Sequence, residues 1–358
     1  LVIPPLPVYE KAKPNLHGRM ATKEMIQVPN PCYYVYAQTM WGRTQYGLVA
    51  GASIEDYTNN LIKKHELTRP DKEDDRVNHV NITNFNAEPV FFAYPDHAEI
   101  DMIINDAILI DPVYNFVAED GVGHHFWVID NDAKIERIDY LFRNEVKALY
   151  VADGHHRTAA ANRVGQLRKK ANPSHTGNEE YNFFLSENFP ASQLRIIDYN
   201  RVIKDLNGLS EEQFLEKLAA SFEVEKKGAD EYKPSGLHNF ALYMSGTWYS
   251  LTAKKGTYND GDPIGVLDVT ILSERVLTPV LDITDLRTSK RIDFVGGIRG
   301  LGELKKRVDS GEMKAAFALY PVSMQQLIDI ADSGNIMPPK TTWFEPKLRS
   351  GLIVHELE

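Results

Sequence analysis

Five consecutive residues, Asp153-Gly154-His155-His156-Arg157, have the types and spacing needed to bind an anion. They follow the apolar run Tyr150–Ala152 and precede Ala159–Ala161, so the pattern predicts a strand, a tight turn and a helix. Gly154 allows a backbone conformation that costs other residues energy, and Asp153 can bond to the turn or cap the helix. The helix N-terminus then offers unpaired N–H groups and a positive dipole end to a phosphate.

The cationic side chains of this corner add to the helix dipole, which contributes only about 0.3–1 kcal/mol at an exposed position. Arg157 can hold a phosphate in bidentate fashion, and His155 and His156 stand where they can add positive charge. Adjacent helical residues do not share a face, so we expect one histidine to face the ligand and the other to bond to the scaffold. The predicted phosphate-binding residues are Gly154, His155, Arg157 and Thr158, and the predicted catalytic residues are Asp153 and His156. The alternative is an ordinary Asp-Gly turn that the histidines fill and cap.

A second group of residues runs from Lys63 to Arg69 and continues to Arg76, with one carboxylate, Glu66, among several cations. A glutamate there can accept a proton from a substrate hydroxyl, a role that contributes typically about 10²–10⁴ in rate. The charge pattern alone favours the simpler interpretation, a solvated run of charges whose ion pairs contribute little.

A third group lies in the segment Met337–Lys347, where three prolines stiffen a chain that carries Lys340, Lys347 and two aromatic side chains. A stiff loop can hold an anion with little loss of conformational entropy, so both lysines are candidate phosphate ligands. A proline-rich connector that covers the edge of a core is an equally good interpretation.

The composition narrows the class of protein. The chain has 358 residues, of which 43% are hydrophobic and 25% charged, and its formal charge of −10 argues against a nucleic-acid-binding surface. Cys32 is the only cysteine, which favours a reducing, cytoplasmic compartment. The apolar runs are strand-sized, so no membrane span is expected. The first residues lack the basic start of a signal peptide, and without an initiator Met the true beginning is expected to be missing. The histidines have no zinc-site spacing, so no metal site is predicted.

Strands and helices alternate along the chain, which predicts an α+β fold. The strands and helices before residue 170 end in a strand at Ala148–Ala152 and a helix at His156–Lys169, and a strand at Arg195–Tyr199 is expected to close the first domain. A second α+β domain follows, with a hairpin around Ser245-Gly246-Thr247 and a buried strand at Ala315–Leu319. The predicted domains are residues 1–205 and 206–358.

Three segments together resemble the bacterial and archaeal family called domain of unknown function 1015: Ala152–Arg157, Lys64–Arg69 and Met337–Leu348. The resemblance runs from about Cys32 to the C-terminus, and the Pro-Tyr-Asp segment found near the start of that family is not visible here. The Asp-Gly-His-His-Arg element is also similar to that of the ParB/sulfiredoxin-like superfamily, especially the free serine kinases. That resemblance implies a ParB/sulfiredoxin-like, nucleotide-binding first domain, with Glu66 as general base beside His65 and residues 153–157 as the phosphate site. The interval between the two motifs is about twice that expected from those enzymes, so serine is not carried over as the substrate.

The leading hypothesis is therefore an ATP- or ADP-dependent phosphotransferase that acts on a small hydroxylated metabolite with the help of Mg²⁺. Its predicted catalytic residues are Glu66, His65, Asp153 and His156, with Arg69, Lys340 and Lys347 as further phosphate ligands. The alternative is a nucleotide-binding regulatory switch that forms a homodimer without transferring phosphate to a metabolite. A metal-assisted hydrolase, or a protein whose ancestral site has decayed, is the third hypothesis.

Overall fold

The fold combines helices, 32% of the chain, with strands, 29%, and this confirms the predicted α+β class. It is a computed structural model that describes residues 1–2, 8–10, 26–27 and 30–357. The first residues, on which the signal-peptide prediction rests, lie largely outside the described residues. The chain forms two compact units, one of Leu1–Leu194 with Pro346–Glu358 and the other of Arg195–Glu345. The first unit therefore ends before the predicted boundary near residue 205, and it also includes the C-terminal segment of the predicted second domain.

The first unit is built on an eight-stranded mixed sheet. Its strands, with three from a smaller sheet, are β1 (Val8–Glu10), β2 (Ile26–Gln27), β3 (Tyr33–Met40), β4 (Arg43–Ser53), β5 (Ile62–Lys63), β6 (Phe85–Asn86), β7 (Val90–Tyr94), β8 (Tyr114–Val117), β9 (Gly123–Ile129), β10 (Leu149–Asp153) and β11 (Phe183–Pro190). The order across the large sheet is β5-β10-β7-β11-β4-β3-β9-β8. Pairing is parallel for β5 with β10 and for β7 with β11, and antiparallel elsewhere.

The described residues of this unit form five α-helices: α1 (Ile54–Thr58), α2 (Pro70–Thr83), α3 (Ala98–Ala107), α4 (Asp132–Asn144) and α5 (His155–Ala171). The predicted start of α2 at Pro70 is confirmed, since a proline at the first position loses no helical hydrogen bond. Val77 of α2 packs against Ala160 and Val164 of α5. This contact holds the two helices that carry the candidate site side by side.

One face of the large sheet is mainly apolar, apart from Ser186 and Asn188 of β11, and the other carries several buried polar side chains. Val35 of β3, Leu48 of β4 and Phe92 of β7 point to the apolar face, where α3 and α4 cover them. Glu187 of β11 is buried and lies on the opposite face. It is in register with Phe91 of β7, which is in turn in register with Asp153 of β10. Asp153 therefore belongs to the face that carries Glu187.

The central strand β11 was not predicted. Its sequence, Phe183-Phe184-Leu185-Ser186-Glu187-Asn188-Phe189-Pro190, places three polar residues in a row and therefore resembles a loop. The chain forms a strand there because tertiary pairing with β4 and β7 satisfies the backbone, whereas the predicted Arg195–Tyr199 strand is split into two short strands of the second unit.

The second unit contains a six-stranded antiparallel sheet and a two-stranded one. Its strands are β12 (Ile196–Ile197), β13 (Tyr199–Ile203), β14 (Phe222–Gly228), β15 (Asn239–Met244), β16 (Thr247–Ala253), β17 (Ile292–Gly296), β18 (Ala315–Ala318) and β19 (Trp343–Phe344), and its helices are α6 (Glu211–Ala219), α7 (Asp268–Leu272), α8 (Gly300–Asp309) and α9 (Met324–Asp332). The large sheet has the order β14-β16-β15-β18-β13-β17. The predicted hairpin is present, with both turn residues, Ser245 and Gly246, at positive φ.

The last strand, β20 (Ile353–Glu356), returns to the first unit and completes a sheet of order β2-β1-β20-β6. In the described part of the chain, no helix has both the length and the apolar composition that crossing a membrane requires.

Candidate functional site

The candidate site is the corner where β10 ends at Asp153 and α5 begins at His155. Gly154 stands between them with φ +104°, a conformation that strains any residue with a side chain. A Cβ at this position would lie 3.0 Å from Nε and Nη2 of Arg157. Gly154 therefore allows both the sharp turn and the close approach of the guanidinium to it.

Arg157 is fixed beneath this corner. Its Nη1 donates a hydrogen bond to the carbonyl oxygen of Pro89 at 2.7 Å, and its guanidinium lies 3.8 Å from Asp153 and 3.9 Å from Glu88. The side chain is 24% exposed, so part of the guanidinium remains accessible. A held, partly exposed arginine loses little conformational entropy when it binds a phosphate.

Asp153 is held in its ionised form. Burial raises the pKa of this carboxyl, but Lys347 at 2.9 Å and Arg157 outweigh burial, so its pKa lies below the usual value. An ionised carboxylate with a low pKa is a weak proton acceptor. Asp153 is therefore better suited to orient cations than to act as the general base.

Lys347 reaches Asp153 from the C-terminal segment of the first unit. Gln38 of β3 donates a hydrogen bond to the carbonyl oxygen of Lys347 at 2.9 Å, and Arg349 donates to Nε2 of His124 at 3.3 Å and pairs with Asp120. These bonds fix the backbone on both sides of the lysine. The structure thus brings Lys347 to the corner, as the sequence analysis expected.

His65 and His155 form a buried pair beside the corner. Their ring centroids lie 4.5 Å apart in an edge-to-face arrangement. Burial lowers the pKa of His65 to about 4 and, together with His65 and His156, lowers that of His155 well below its usual value. Both rings are therefore neutral near pH 7, and the expectation that His155 supplies positive charge is not met.

Glu66 lies at the edge of this pair. One of its carboxylate oxygens is 3.8 Å from Nδ1 of His155, and its side chain is 47% exposed. The distance is longer than a hydrogen bond, so this contact is an electrostatic one.

His156 has a defined tautomer. Its Nε2 accepts a hydrogen bond from the backbone N–H of Arg69 at 3.0 Å, so its ring proton is on Nδ1. With the Nε2 lone pair engaged, the ring can offer only the Nδ1–H to a ligand. The bond also ties the start of α2 to the start of α5, so His156 serves the scaffold as well as the pocket.

An open pocket of about 370 Å³ gathers these groups. This volume lies within the range of about 300–1,000 Å³ common for small-molecule sites. Its lining residues are Glu66, Arg76, Glu88, Asp153, Gly154, His155, His156, Arg157, Leu348 and Ser350. Six predicted site residues thus surround one space, although two distant parts of the sequence supply them.

Five predicted residues do not line this pocket, and one of them, Lys347, reaches Asp153 at its edge. The hydroxyl of Thr158 is buried and donates to the carbonyl oxygen of Gly154 at 3.0 Å, so in this conformation it is not available to a phosphate. His65 lies behind His155, and the side chain of Arg69 is paired with Asp71 at 2.9 Å. Lys340 belongs to the second unit, where its ammonium lies 5.7 Å from the ring centroid of Tyr199.

Two charged lining residues, Arg76 and Glu88, were not among the predicted site residues. Arg76 has no ion pair with any residue that the structure describes, so its guanidinium is available at the pocket. The available signal was its place at the end of the charge run that starts at Lys63, which the charge pattern alone assigned to solvent. Glu88 had no comparable signal in the sequence.

The lining can accommodate a phosphate with its own cations. Arg76 and Arg157 face the pocket with the N-terminus of α5, and Lys347 neutralises Asp153. Within the described residues, no three His, Cys, Asp or Glu side chains are grouped as a metal ion requires. Mg²⁺ in nucleotide sites is usually held by one or two carboxylates and the phosphates themselves, which this lining allows.

Several solved structures align with the chain at low similarity. A conserved hypothetical protein from Pyrococcus furiosus has 15% identity and a TM-score of 0.39, covering 86% of this chain and 95% of its own. A free serine kinase in complex with AMP has 13% identity and a TM-score of 0.40, covering 85% and 92%. SbnI with a C-terminal truncation, from Staphylococcus aureus, has 10% identity and a TM-score of 0.42, covering 85% and 87%. Identities and TM-scores this low do not indicate a shared function.

No curated protein matches the sequence. The sequence family described as "Protein of unknown function (DUF1015)" matches residues 4–270, most of the chain. The chain therefore belongs to this family, as the motif resemblance predicted.

Proposed function

We propose that the protein is a nucleotide-dependent phosphotransferase that moves a phosphoryl group from ATP or ADP to a hydroxyl of a small metabolite. The observation that carries the proposal is the shared pocket of Glu66 and the Asp153–Arg157 corner. One element supplies a carboxylate that can accept a proton, and the other supplies an anion site. Phosphoryl transfer needs mainly this combination of positioning and charge neutralisation.

The anion site is formed by Arg157, Arg76 and the first N–H groups of α5. Arg157 is held by Pro89 at 2.7 Å, so its free N–H groups keep a fixed direction. Charge-assisted hydrogen bonds of this kind are roughly twice as strong as neutral ones. His156 adds a donor, Nδ1–H, while its Nε2 stays bonded to the backbone of Arg69.

Glu66 acts as the general base in this proposal. Its carboxylate takes the proton of the acceptor hydroxyl as that oxygen forms a bond to the terminal phosphorus. The bond from this phosphorus to the bridging oxygen of the nucleotide breaks, and the electron pair leaves with the shortened nucleotide. Glu66 is half exposed, so it can reach a hydroxyl that enters from solvent.

Three further assignments belong to the proposal. Mg²⁺ enters with the nucleotide phosphates and is held in part by a pocket carboxylate, where it neutralises the phosphate charge. The ParB/sulfiredoxin-like relationship of the first domain rests on the Asp-Gly-His-His-Arg and His-Glu motifs. The nucleotide-binding domain corresponds approximately to the predicted residues 1–205.

Phosphorus NMR tests the proposal directly. The protein is incubated with ATP or ADP, Mg²⁺ and a pool of hydroxylated metabolites, and a new phosphate-ester signal is the expected result. Glu66→Gln abolishes this signal but leaves nucleotide binding intact, because the amide has no basic oxygen. Glu119→Gln, on an exposed loop of the same unit, is the matched control and keeps full turnover.

Two results would contradict the proposal. Absence of both nucleotide binding and turnover removes its basis. Nucleotide binding with an unchanged nucleotide pool, together with nucleotide-dependent dimerisation in light scattering, would instead support the regulatory switch.

A further inference from the structure

A small cavity lies next to the pocket, between α2, α5 and the large sheet. Its volume is about 40 Å³. Its apolar walls include the buried side chains of Phe85, Val90, Ala160, Phe184 and Leu185. Polar side chains, those of Arg76, His79, Asn86, Glu88 and Arg157, also line it. Arg76 and His79 are exposed, so the cavity is partly open to solvent.

The cavity and the pocket share three lining residues, Arg76, Glu88 and Arg157. A ligand whose phosphate contacts the two arginines therefore has the cavity beside it. A group attached to a phosphate oxygen on that side can contact the apolar walls of the cavity.

We propose that this cavity is a subsite for a short alkyl group, so that the ligand of this pocket is a phosphate monoester of a small aliphatic alcohol. The proposal rests on the anion site of the proposed function and names the class of its product. The acceptor is then an alcohol whose carbon next to the hydroxyl carries hydrogen or small alkyl groups, not a bulky ring.

The size of the cavity limits the alkyl group. One water-sized sphere takes about 10–15 Å³ of such a space, so 40 Å³ accommodates about two carbons, which are larger than a water molecule. Each carbon moved from water to an apolar environment strengthens binding by about fourfold. Longer chains overfill the space, and the surrounding side chains resist displacement because the interior is close-packed.

The test is the affinity of a series of phosphates measured by isothermal titration calorimetry. Inorganic phosphate, methyl, ethyl, propyl and butyl phosphate are compared at about pH 8, where the esters are dianions because the second pKa of a phosphate monoester is about 6, and inorganic phosphate is mainly a dianion. The expected result is an affinity gain of about fourfold for each of the first two carbons and no gain after them.

Cavity variants sharpen the result. Ala160→Val adds two carbons to the cavity wall, so it removes the gain from alkyl groups while the affinity for inorganic phosphate stays unchanged. Ala159→Val is the matched control, because Ala159 is a buried alanine of the same helix that does not line the cavity. Val90→Ala enlarges the cavity and shifts the best chain length upward.

The outcomes separate this proposal from the proposed function. If inorganic phosphate binds but the alkyl series is flat or falling, the alkyl subsite is wrong and the anion site stands. If neither inorganic phosphate nor any ester binds, both proposals are overturned. The wild-type series decides the question even if Ala160→Val does not fold.

Discussion

Replacing Lys347 with methionine separates the binding role of this residue from its structural role. Its ammonium lies 2.9 Å from the carboxylate of Asp153, with side chains that are 48% and 37% exposed. Exposed pairs contribute about 0–1 kcal/mol because solvent screens them. We therefore expect the free energy of unfolding to fall by at most about 1 kcal/mol, a shift of about 2–4 °C in Tm.

The same substitution has a larger effect on phosphate binding. Among the described residues, the variant leaves Asp153 with Arg157 as its one cationic partner, so the net charge of the pocket becomes more negative by one. A hydrogen bond to a charged group contributes about 1.5–3 kcal/mol. Because Lys347 is half exposed, we expect the loss of phosphate-binding energy to lie at the low end of this range. The affinity for ADP, measured by calorimetry, should therefore be about tenfold weaker in the variant. Lys147→Met, at an exposed position of the same unit, is the control.

The pH dependence gives an independent check of the ion pair. The pKa of Asp153 is lowered in the folded state, so its contribution to stability is present above its unfolded pKa of about 3.9 and disappears as pH falls through the folded pKa. The stability difference between wild type and Lys347→Met should therefore vanish in acid. A loss above about 3 kcal/mol at neutral pH, typical of a broken buried pair, would refute this reasoning.

Three further substitutions test the surroundings of the site. His65→Leu should flatten the loss of stability between pH 6.5 and about 4, because the buried ring has a pKa of about 4 and must stay neutral; pH-dependent denaturation measures this. Gly154→Ala should lower the free energy of unfolding by about 1–3 kcal/mol, and by more than Gly177→Ala. Both glycines have positive φ, but only at Gly154 would a Cβ meet the Arg157 guanidinium. Equal losses of stability in urea denaturation would contradict the contact. Burial raises the pKa of Glu187, so its protonated form is favoured in the folded state. The stability of the protein should therefore fall as pH rises above the unfolded pKa of this group. Glu187→Gln should raise Tm at pH 8 more than at pH 5.

The sequence was sufficient for the corner because its signals are local. A strand, Asp-Gly and an alanine-rich helix predict β10 and α5, and the pocket at their junction is present. The pairing with Glu66 came only from the resemblance to known families, since charge pattern alone favoured an ordinary solvated run.

The sequence was insufficient where tertiary contacts decide the result. Strand β11 has three polar residues in a row. It nevertheless lies in the centre of the sheet, because pairing with β4 and β7 satisfies its backbone. The positive charge expected on His155 depends on burial, which an isolated motif does not reveal. Thr158 follows the phosphate corner in sequence, but the helix turns its hydroxyl back to Gly154.

A crystal structure with ADP and Mg²⁺ shows most directly whether the Asp153–Arg157 corner binds the nucleotide phosphate. We expect the terminal phosphate within hydrogen-bonding distance of the Arg157 guanidinium and the first N–H groups of α5. We also expect an oxygen of Glu66 on the side from which an acceptor hydroxyl enters. A nucleotide bound elsewhere, with the Asp153–Arg157 corner in contact only with water, would contradict it.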